Sequence, residues 1–536
     1  MKNLLIITHG KLLYILFFIF LDICSILLNI YINFKAAEII SSLINFKGIN
    51  LTMTVTLTVL LMWFAYILVE NLRITLKEYI VSRLSFNYRD LIVRLITSMK
   101  FSEFIKKDKG EYLSWLINDT QLLEQKTFRN LFDASHFLLS IVFSFLAISY
   151  LSLWLSLSSI VFFVLMIVFP SLFNKKIQLL TSNFSKQQST FTTNVKSNLY
   201  GYEIWDNFLS IDSMIKNIKL DSNNLENKKF ALSKYQTLAN SLVQLLSIII
   251  QFSNQILFIY LSYAGVVNPI YIITIGNLSG MFYNSLGQFA QLIPMINSTK
   301  NLISRISNVG SISNKIDTST LEFKNHLVIE NLYFQYDDSK GLLKNINLKI
   351  FKGQKIAIIA PSGSGKTTLL YILMKRIENY QGNISLDDTN YKDLTSTTIN
   401  QLFAYVDQSS YTFNSTILDN ITLGNKFEIN SVLNHTNLSM LTTLIKNTDD
   451  LSIQCGEDGK NLSNGEKQRI AIARSLLFKK QIILFDEADN AIDKENSSAI
   501  KNMLLEQKDL TLIYISHSLL ESEHANFDQV IKLVTS

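Results

Sequence analysis

The sequence predicts a two-domain protein in which an all-α membrane domain precedes an α/β domain. The chain has 536 residues, of which 48% are hydrophobic, and its first half contains long apolar windows. Its last third alternates short apolar strands with helical patterns, which is typical of a mostly parallel sheet. We place the membrane domain at 1–296, a polar linker at 297–322 and the α/β domain at 323–536.

Six windows of the first domain are apolar over about the 20 residues that a helix needs to cross a bilayer. They lie near residues 12–34, 51–69, 131–151, 155–173, 238–264 and 269–293. The first window has no small-residue cleavage site and is longer than a signal peptide, so we expect it to be retained.

Two polar stretches, 70–130 and 174–237, separate the windows into pairs. Both have helical patterns, which predict long helical extensions beyond the membrane. Lys and Arg are concentrated in these stretches, and the positive-inside rule therefore places them and the α/β domain in the cytosol. The abundance of Lys, Asn and Ile indicates a bacterial source with an AT-rich genome.

Charge and cysteine content exclude some classes. The net charge of +6 is small for this length and the basic residues form no tract, so no nucleic-acid partner is indicated. The cysteines are Cys24 and Cys455, which provide no disulfide framework.

A Gly-rich sequence, PSGSGKTT, begins at Pro361 between a strand pattern and a helical pattern. This order is the context of a P-loop, which binds nucleotide phosphates. Gly363 and Gly365 let backbone N–H groups face phosphate oxygens, Lys366 adds positive charge, and Thr367 is the expected magnesium ligand. The nucleotide-binding residues predicted here are Ser362, Gly363, Ser364, Gly365, Lys366, Thr367 and Thr368.

Two further strands end in polar groups: IILFDE ends at Asp486 and Glu487, and TLIYIS is followed by His517. A strand that ends in two acids is more often structural when it stands alone. Downstream of a P-loop, however, phosphoryl transfer needs a metal-holding acid, here Asp486, and a water-polarising group, here Glu487. His517 is expected beside the γ-phosphate, so the motifs predict an ATPase.

With LSNGE at 462–466, these motifs resemble those of the ATP-binding cassette (ABC) transporters, in particular exporters whose fused membrane and ATPase domains form a half-transporter. LSNGE resembles the signature LSGGQ and departs from it at Asn464 and Glu466. It keeps Ser463 and Gly465, which the resemblance implies contact the γ-phosphate of the partner's nucleotide.

The resemblance implies further roles. Tyr336 looks like the aromatic residue that stacks on adenine, and Asp493 like the acid in the loop after the catalytic Glu. Gln408 looks like the glutamine that contacts magnesium, takes part in catalysis and couples the site to the membrane domain. The segments GEYLSWLINDT (110–120) and NLYGYEIW (198–205) look like the coupling helices that seat on ATPase domains.

The implied cofactors are ATP and Mg²⁺, and the implied partner is a second half-transporter, because one nucleotide lies between the P-loop of one chain and the signature of another. A homodimer and a heterodimer both stay open; the altered signature motivates the heterodimer. The implied activity is ATP-driven export, by alternating access, of a peptide, lipid or hydrophobic small molecule across the bacterial cytoplasmic membrane. The direction of transport comes from the resemblance alone, and the cargo is not identified.

Two other functional classes share parts of the pattern. A non-transporting membrane regulator or immunity protein would use ATP-driven closure to signal to a partner. A soluble ATPase acting on DNA or ribosomes is excluded, because lipid-exposed spans have no soluble equivalent at this length and number.

Polar groups within the spans have two open interpretations. Asp22 lies in the first span, where an ionisable group is costly; it marks a pathway or a paired site, or it faces a watery cavity without a specific role. Six amides make the last two spans polar, and they either line a translocation cavity or join helices: Gln251, Asn254, Gln255, Asn284, Gln288 and Gln291.

Overall fold

The structure is a computed structural model of the chain. It describes residues 10–44, 49–304, 322–335, 343–361, 363–407, 410–441, 444–486, 494–516, 519 and 521–533. The chain forms two compact units: residues 1–98 with 107–312, and residues 99–106 with 313–536.

The part of the chain before the α/β domain is helical throughout its described elements. Its helices are α1 Leu12–Ile44, α2 Ile49–Ser98, α3 Phe101–Phe104, α4 Lys109–Ser114, α5 Thr120–Leu123, α6 Arg129–Leu151, α7 Leu153–Tyr200, α8 Tyr202–Asn207, α9 Ile211–Tyr263, α10 Ile272–Asn297 and α11 Lys300–Ser304. Two π-helical turns, Trp115–Asp119 and Glu124–Phe128, connect α4 to α6 through α5, and a 3₁₀ turn, Pro269–Tyr271, precedes α10.

Five helical stretches among the described residues are long and apolar enough to cross a membrane. They are Leu12–Ile44, Ile49–Ser98, Lys109–Leu151, Leu153–Tyr200 and Ile211–Tyr263; they contain the first four predicted windows and all but the last residue of the fifth. Their lengths of 33 to 53 residues exceed the roughly 20 that a bilayer requires. Helix α10 covers most of the sixth window, whose crossing stays a prediction.

Two amides of the predicted last spans join helices. Asn254 of α9 donates from Nδ2 to the hydroxyl of Tyr283 on α10 at 2.7 Å, and its Oδ1 accepts from Ser158 of α7 at 2.7 Å. Gln251 donates to the carbonyl of Gly276 at 2.9 Å. For Asn254 and Gln251 the structure therefore favours the helix-joining interpretation. Three of the other amides are exposed on α10: Asn284, Gln288 and Gln291.

The second unit contains the α/β fold. Its strands are β1 His326–Phe334, β2 Leu343–Phe351, β3 Lys355–Ile359, β4 Gln381–Leu386, β5 Thr389–Asn390, β6 Phe403–Val406, β7 Ile482–Asp486, β8 Thr511–Ser516 and β9 Gln529–Lys532. Its helices are α12 Lys366–Leu373, α13 Ser396–Leu402, α14 Ile417–Thr422, α15 Ile429–Leu438, α16 Asn464–Leu477 and α17 Lys494–Glu506.

The strands form two sheets. An antiparallel sheet has the order β2-β1-β4-β5, and a parallel sheet has the order β6-β7-β8-β3-β9. Along β7, Ile482 and Leu484 pack into one apolar cluster and Ile483 and Phe485 into another. Burial on both faces is what a continuous apolar run in a parallel strand predicts.

This topology positions the site. Strands β3, β7 and β8 are parallel neighbours, so their carboxyl ends lie at one edge of the sheet. In open α/β sheets, ligands bind outside this edge. The P-loop follows β3 and Asp486 ends β7 there.

Candidate functional site

The loop after β3 has the backbone geometry that its glycines predict. Gly363 and Gly365 have φ of +78° and +90°, in the left-handed region, which costs a glycine least. A Cβ at Gly363 would meet no atom of the described residues within 4 Å, so the described part of the loop leaves open space on that side. Gly365 precedes α12, and the helix N-terminus therefore directs its N–H groups toward the loop.

The side chains of the loop suit a polyphosphate. Lys366 is buried, with 7% of its surface exposed, and its Nζ donates to the carbonyl of Ala360 at 2.9 Å. Ser364 is also buried, and its Oγ has no hydrogen-bond partner among the described residues. A buried hydroxyl without a partner costs free energy, which a ligand with acceptor oxygens would recover.

Thr367 and Asp486 form the predicted metal pair. The Thr367 hydroxyl donates to Oδ2 of Asp486 at 3.1 Å, which brings the P-loop helix and the end of β7 together. Hydroxyl and carboxylate oxygens are ligands that Mg²⁺ prefers, and Mg²⁺ commonly takes one or two of them from the protein and others from phosphates. Within the described part of the chain, no cluster of three or more His, Cys, Asp or Glu residues offers an all-protein metal site. The two residues therefore fit Mg²⁺ bound together with a nucleotide.

Tyr405 is a site residue that the sequence did not predict. It lies on β6, next to β7, and its hydroxyl donates to the same Asp486 Oδ2 at 3.0 Å. Burial and the Asp486 charge raise the pKa of Tyr405, so the phenol stays a donor. Its position near the end of a parallel strand could have indicated a site residue. An aromatic residue in a strand, however, usually indicates core packing.

The signature residues begin a separate helix. Ser463 caps the N-terminus of α16, and its Oγ accepts from the backbone N–H of Glu466 at 3.3 Å. The Glu466 carboxylate accepts from the Ser463 N–H at 2.7 Å and from its hydroxyl at 2.8 Å. This reciprocal pair is a capping box. Gly465 is buried in the first turn.

The structure thus brings together Lys366, Thr367 and Asp486, with Ser364, Gly363 and Gly365 in the same loop and Thr368 buried in the helix that follows. Several predicted site residues lie outside the described residues, and their roles stay predictions: Tyr336, Ser362, Gln408, Glu487, Asp493 and His517.

The two predicted coupling segments overlap short helices, α4 (Lys109–Ser114) and α8 (Tyr202–Asn207). Their docking on an ATPase domain stays a prediction. The second unit instead includes residues 99–106, a segment that the sequence did not single out.

Two family models match the chain. Residues 15–286 match the ABC transporter transmembrane region, and residues 343–490 match the ABC transporter ATPase model, described as "ABC transporter". Among solved structures, a bacterial Atm1-family ABC exporter with ATP bound has a TM-score of 0.83 over 98% of this chain and 94% of that chain, at 19% identity. This likeness shows the fold.

Three curated relatives are named for transport, for export and as a flippase. The lactococcin-G-processing and transport ATP-binding protein of Lactococcus lactis subsp. lactis is 31% identical over 52% of this chain and 41% of its own length. The microcin-J25 export ATP-binding/permease protein of Escherichia coli is 29% identical over 84% of this chain and 78% of its own. The ATP-dependent lipid A-core flippase of Aliivibrio fischeri is 26% identical over 85% and 79%.

The ATPase match and these relatives indicate ATP hydrolysis coupled to transport. The apolar helices and the transmembrane match indicate a multi-pass membrane protein, and the half-transporter fold implies a dimer. One chain thus carries both modules, a helical membrane domain and a P-loop ATPase domain, and it belongs to the ABC transporter family.

Proposed function

We propose that this chain is one half of an ATP-driven exporter in the bacterial cytoplasmic membrane, with its ATPase domain in the cytosol. The observation that carries the proposal is the 3.1 Å contact between Thr367 and Asp486 beneath a loop with left-handed glycines. It supports a site in which the Thr367 hydroxyl and the Asp486 carboxylate hold Mg²⁺ next to ATP phosphates bound at the N-terminus of α12.

Each residue has a proposed task. Lys366 binds the β- and γ-phosphates, and Thr367 and Asp486 hold Mg²⁺, which when bound offsets the phosphate charge. Glu487, the residue after Asp486, polarises the attacking water, and His517, after β8, contacts the γ-phosphate. Catalysis of this type rests on positioning and on charge stabilisation, without a covalent enzyme intermediate.

We further propose that the partner is a different half-transporter. The Glu466 carboxylate accepts the hydrogen of the Ser463 hydroxyl at 2.8 Å, so a negative charge lies beside a group that would contact the partner's γ-phosphate. Two unit charges 4 Å apart repel by about 1 kcal/mol in water and about 4 kcal/mol at an effective dielectric constant of about 20. A dimer would have two nucleotide sites, each with a P-loop from one chain and a signature from the other. The site that contains the signature of this chain is therefore the weaker one. The P-loop of this chain would form the other site with an intact signature on the partner.

The names of the relatives support the proposed cargo class. They are named for lactococcin G, microcin J25 and lipid A-core, which supports a peptide, lipid or hydrophobic small molecule as the substrate here.

Transport is tested in inside-out membrane vesicles that contain the full chain, with labelled peptides and lipids as candidate cargo. ATP-dependent accumulation that disappears in Glu487→Gln supports export. ATP hydrolysis with no cargo moved by any candidate would contradict export and favour a membrane regulator or immunity protein.

The partner is tested by purifying the tagged full chain after expression alone. A stable two-fold dimer with full ATPase activity would overturn the heterodimer. Low activity that rises when an adjacent half-transporter gene is expressed with it supports the heterodimer.

A further inference from the structure

We propose that Tyr405 is a positioning residue for the metal-binding carboxylate of Asp486, and that Arg376 and Phe101 hold the tyrosine in place. This inference rests on the proposed nucleotide and magnesium site. It assigns a role to residues 99–106, which lie outside every motif found in the sequence.

The first contact is the hydrogen bond to the carboxylate. Oδ2 of Asp486 accepts from the Tyr405 hydroxyl at 3.0 Å and from the Thr367 hydroxyl at 3.1 Å. Donors from two different elements therefore converge on one oxygen and fix the rotation of the carboxylate. Groups that orient a metal ligand in this way change metal affinity by about tenfold to a hundredfold.

The second contact fixes the ring of Tyr405. The guanidinium carbon of Arg376 lies 5.3 Å from the centroid of the Tyr405 ring and 5.3 Å from that of Tyr371. The two tyrosine rings are 6.2 Å apart at 71°. A cation over aromatic faces within about 6 Å is attracted to them, and more strongly when water is excluded. Burial lowers the pKa of Arg376, which reflects this partial exclusion of water.

Tyr371 lies on α12, the helix that begins at Lys366, and Arg376 follows the end of that helix. Helix α12, whose N-terminus lies at the proposed phosphate site, and the residues just after it therefore also supply Tyr371 and Arg376, which contact each other and Tyr405. A disturbance of the Arg376 contacts is expected to reach Asp486 through Tyr405.

The third contact comes from the segment 99–106. The Phe101 ring lies 4.4 Å from the Arg376 guanidinium carbon and 6.0 Å from the Tyr371 ring, to which it is nearly perpendicular. Lys100 also pairs with Glu378 at 2.8 Å. Both members of that pair are exposed, and such pairs contribute little, so Phe101 supplies the main contact of this segment with the cluster.

These contacts form a continuous path from Phe101 through Arg376 and Tyr405 to Asp486. The segment belongs by its contacts to the ATPase unit, although in the chain it connects α2 to α4. The position of the segment 99–106 against Arg376 is thereby linked to the orientation of the Asp486 carboxylate.

The test is metal binding, measured on the full-length chain in a Glu487→Gln background with ATP present. Mn²⁺, followed by its electron paramagnetic resonance signal, replaces Mg²⁺. Tyr405→Phe removes only the hydroxyl and is expected to weaken Mn²⁺ binding by about tenfold, with ATP binding in EDTA unchanged. Phe101→Ala is expected to weaken Mn²⁺ binding in the same direction by about twofold to threefold.

Tyr391→Phe is the matched control. The Tyr391 hydroxyl donates to the carbonyl of Leu373 at 2.6 Å and is buried, so its loss also removes a buried hydrogen bond from the same unit. It is expected to leave Mn²⁺ affinity unchanged.

The outcomes distinguish failure of this inference from failure of the proposed nucleotide and magnesium site. Wild-type Mn²⁺ affinity in Tyr405→Phe would overturn the positioning role, and so would an equal loss in Tyr391→Phe. Wild-type affinity in both Phe101→Ala and Phe101→Leu would overturn the link to the segment 99–106. An unsubstituted chain that binds no Mn²⁺ with ATP would instead contradict the proposed nucleotide site.

Discussion

The carboxylate of Asp22 lies 2.6 Å from Nδ1 of His136, and the Asp22 side chain is fully buried. A guanidinium nitrogen of Arg73 lies 3.6 Å from the same carboxylate oxygen, and Arg73 also donates from Nε to Glu70 at 2.9 Å. Asp22, Arg73 and His136 belong to α1, α2 and α6. The acid in the first predicted span is therefore a paired group that joins three helices.

Asp22→Ala is expected to destabilise the membrane domain by about 3 kcal/mol, because it removes the partner of His136 and one of the two acids beside Arg73 from a buried cluster. Thermal unfolding of the detergent-purified chain measures the loss. Asp90→Ala, which breaks an exposed pair with Arg94 at 2.8 Å, is the control and is expected to change stability by less than about 1 kcal/mol. Equal midpoints for Asp22→Ala and the unsubstituted chain would show that the cluster contributes nothing to stability.

Removal of divalent cations with EDTA is expected to abolish ATP hydrolysis and leave weaker nucleotide binding, since the loop and Lys366 bind phosphate without the metal. Asp486→Asn keeps the shape of the side chain but removes its charge. It is expected to raise the Mg²⁺ concentration for half-maximal hydrolysis by about tenfold or more. A titration of activity against free Mg²⁺ checks this, and an unchanged midpoint would remove Asp486 from the metal site.

The sequence predicted the parts of the site that have strict backbone or charge requirements. Left-handed glycines at 363 and 365, a lysine at a helix start and an acid at the end of an apolar strand leave few alternatives, and the structure places them at one edge of a parallel sheet. The membrane and α/β parts were also predictable, because bilayer thickness sets the length of the apolar windows and strand burial produces short apolar runs between helical patterns.

Contacts between residues distant in sequence were less predictable. Tyr405 and Asp486 are separated by 81 positions, and nothing in the strand FAYV distinguishes a tyrosine that binds a carboxylate from one that packs in a core. Phe101 was missed because a helix of four residues, such as α3, is too short to carry a periodic signal. The pairing of Asp22 was one of two open alternatives, since a sequence shows the cost of a buried charge but not its partner.

Glu466→Gln is expected to raise the ATPase activity of the chain when it is expressed alone, because glutamine keeps the capping box and removes the charge beside Ser463. An increase of about fivefold corresponds to about 1 kcal/mol of relieved repulsion. Steady-state hydrolysis at saturating ATP measures it.

Glu428→Gln is the matched control for this change. Glu428 is exposed at the start of α15, so the substitution removes the same charge away from the signature and is expected to leave hydrolysis unchanged. A decrease or no change in Glu466→Gln would contradict the view that the altered signature weakens its site.

Asp407 provides a pH-dependent test of the region beside Tyr405. Burial raises the pKa of the Asp407 carboxyl above its ordinary value of 3.8, and this outweighs the opposing effects of a hydrogen bond from Ser410 and of the Arg376 charge. An acid that ionises less readily in the folded state costs stability as the pH rises through its folded pKa. Asp407→Asn, which stays neutral, is therefore expected to raise the unfolding midpoint at pH 7.

The gain should shrink as the pH falls through the raised folded pKa toward 3.8, because the folded Asp407 carboxyl then takes up a proton and no longer buries a charge. Thermal unfolding of the full chain at several pH values between about 4 and about 7 gives the profile. Asp388→Asn, at an exposed position in the turn between β4 and β5, controls for the loss of one acid and should give no such profile. A gain for Asp407→Asn that is the same at every pH would show that it comes from packing, since only the ionisation of Asp407 makes the difference depend on pH.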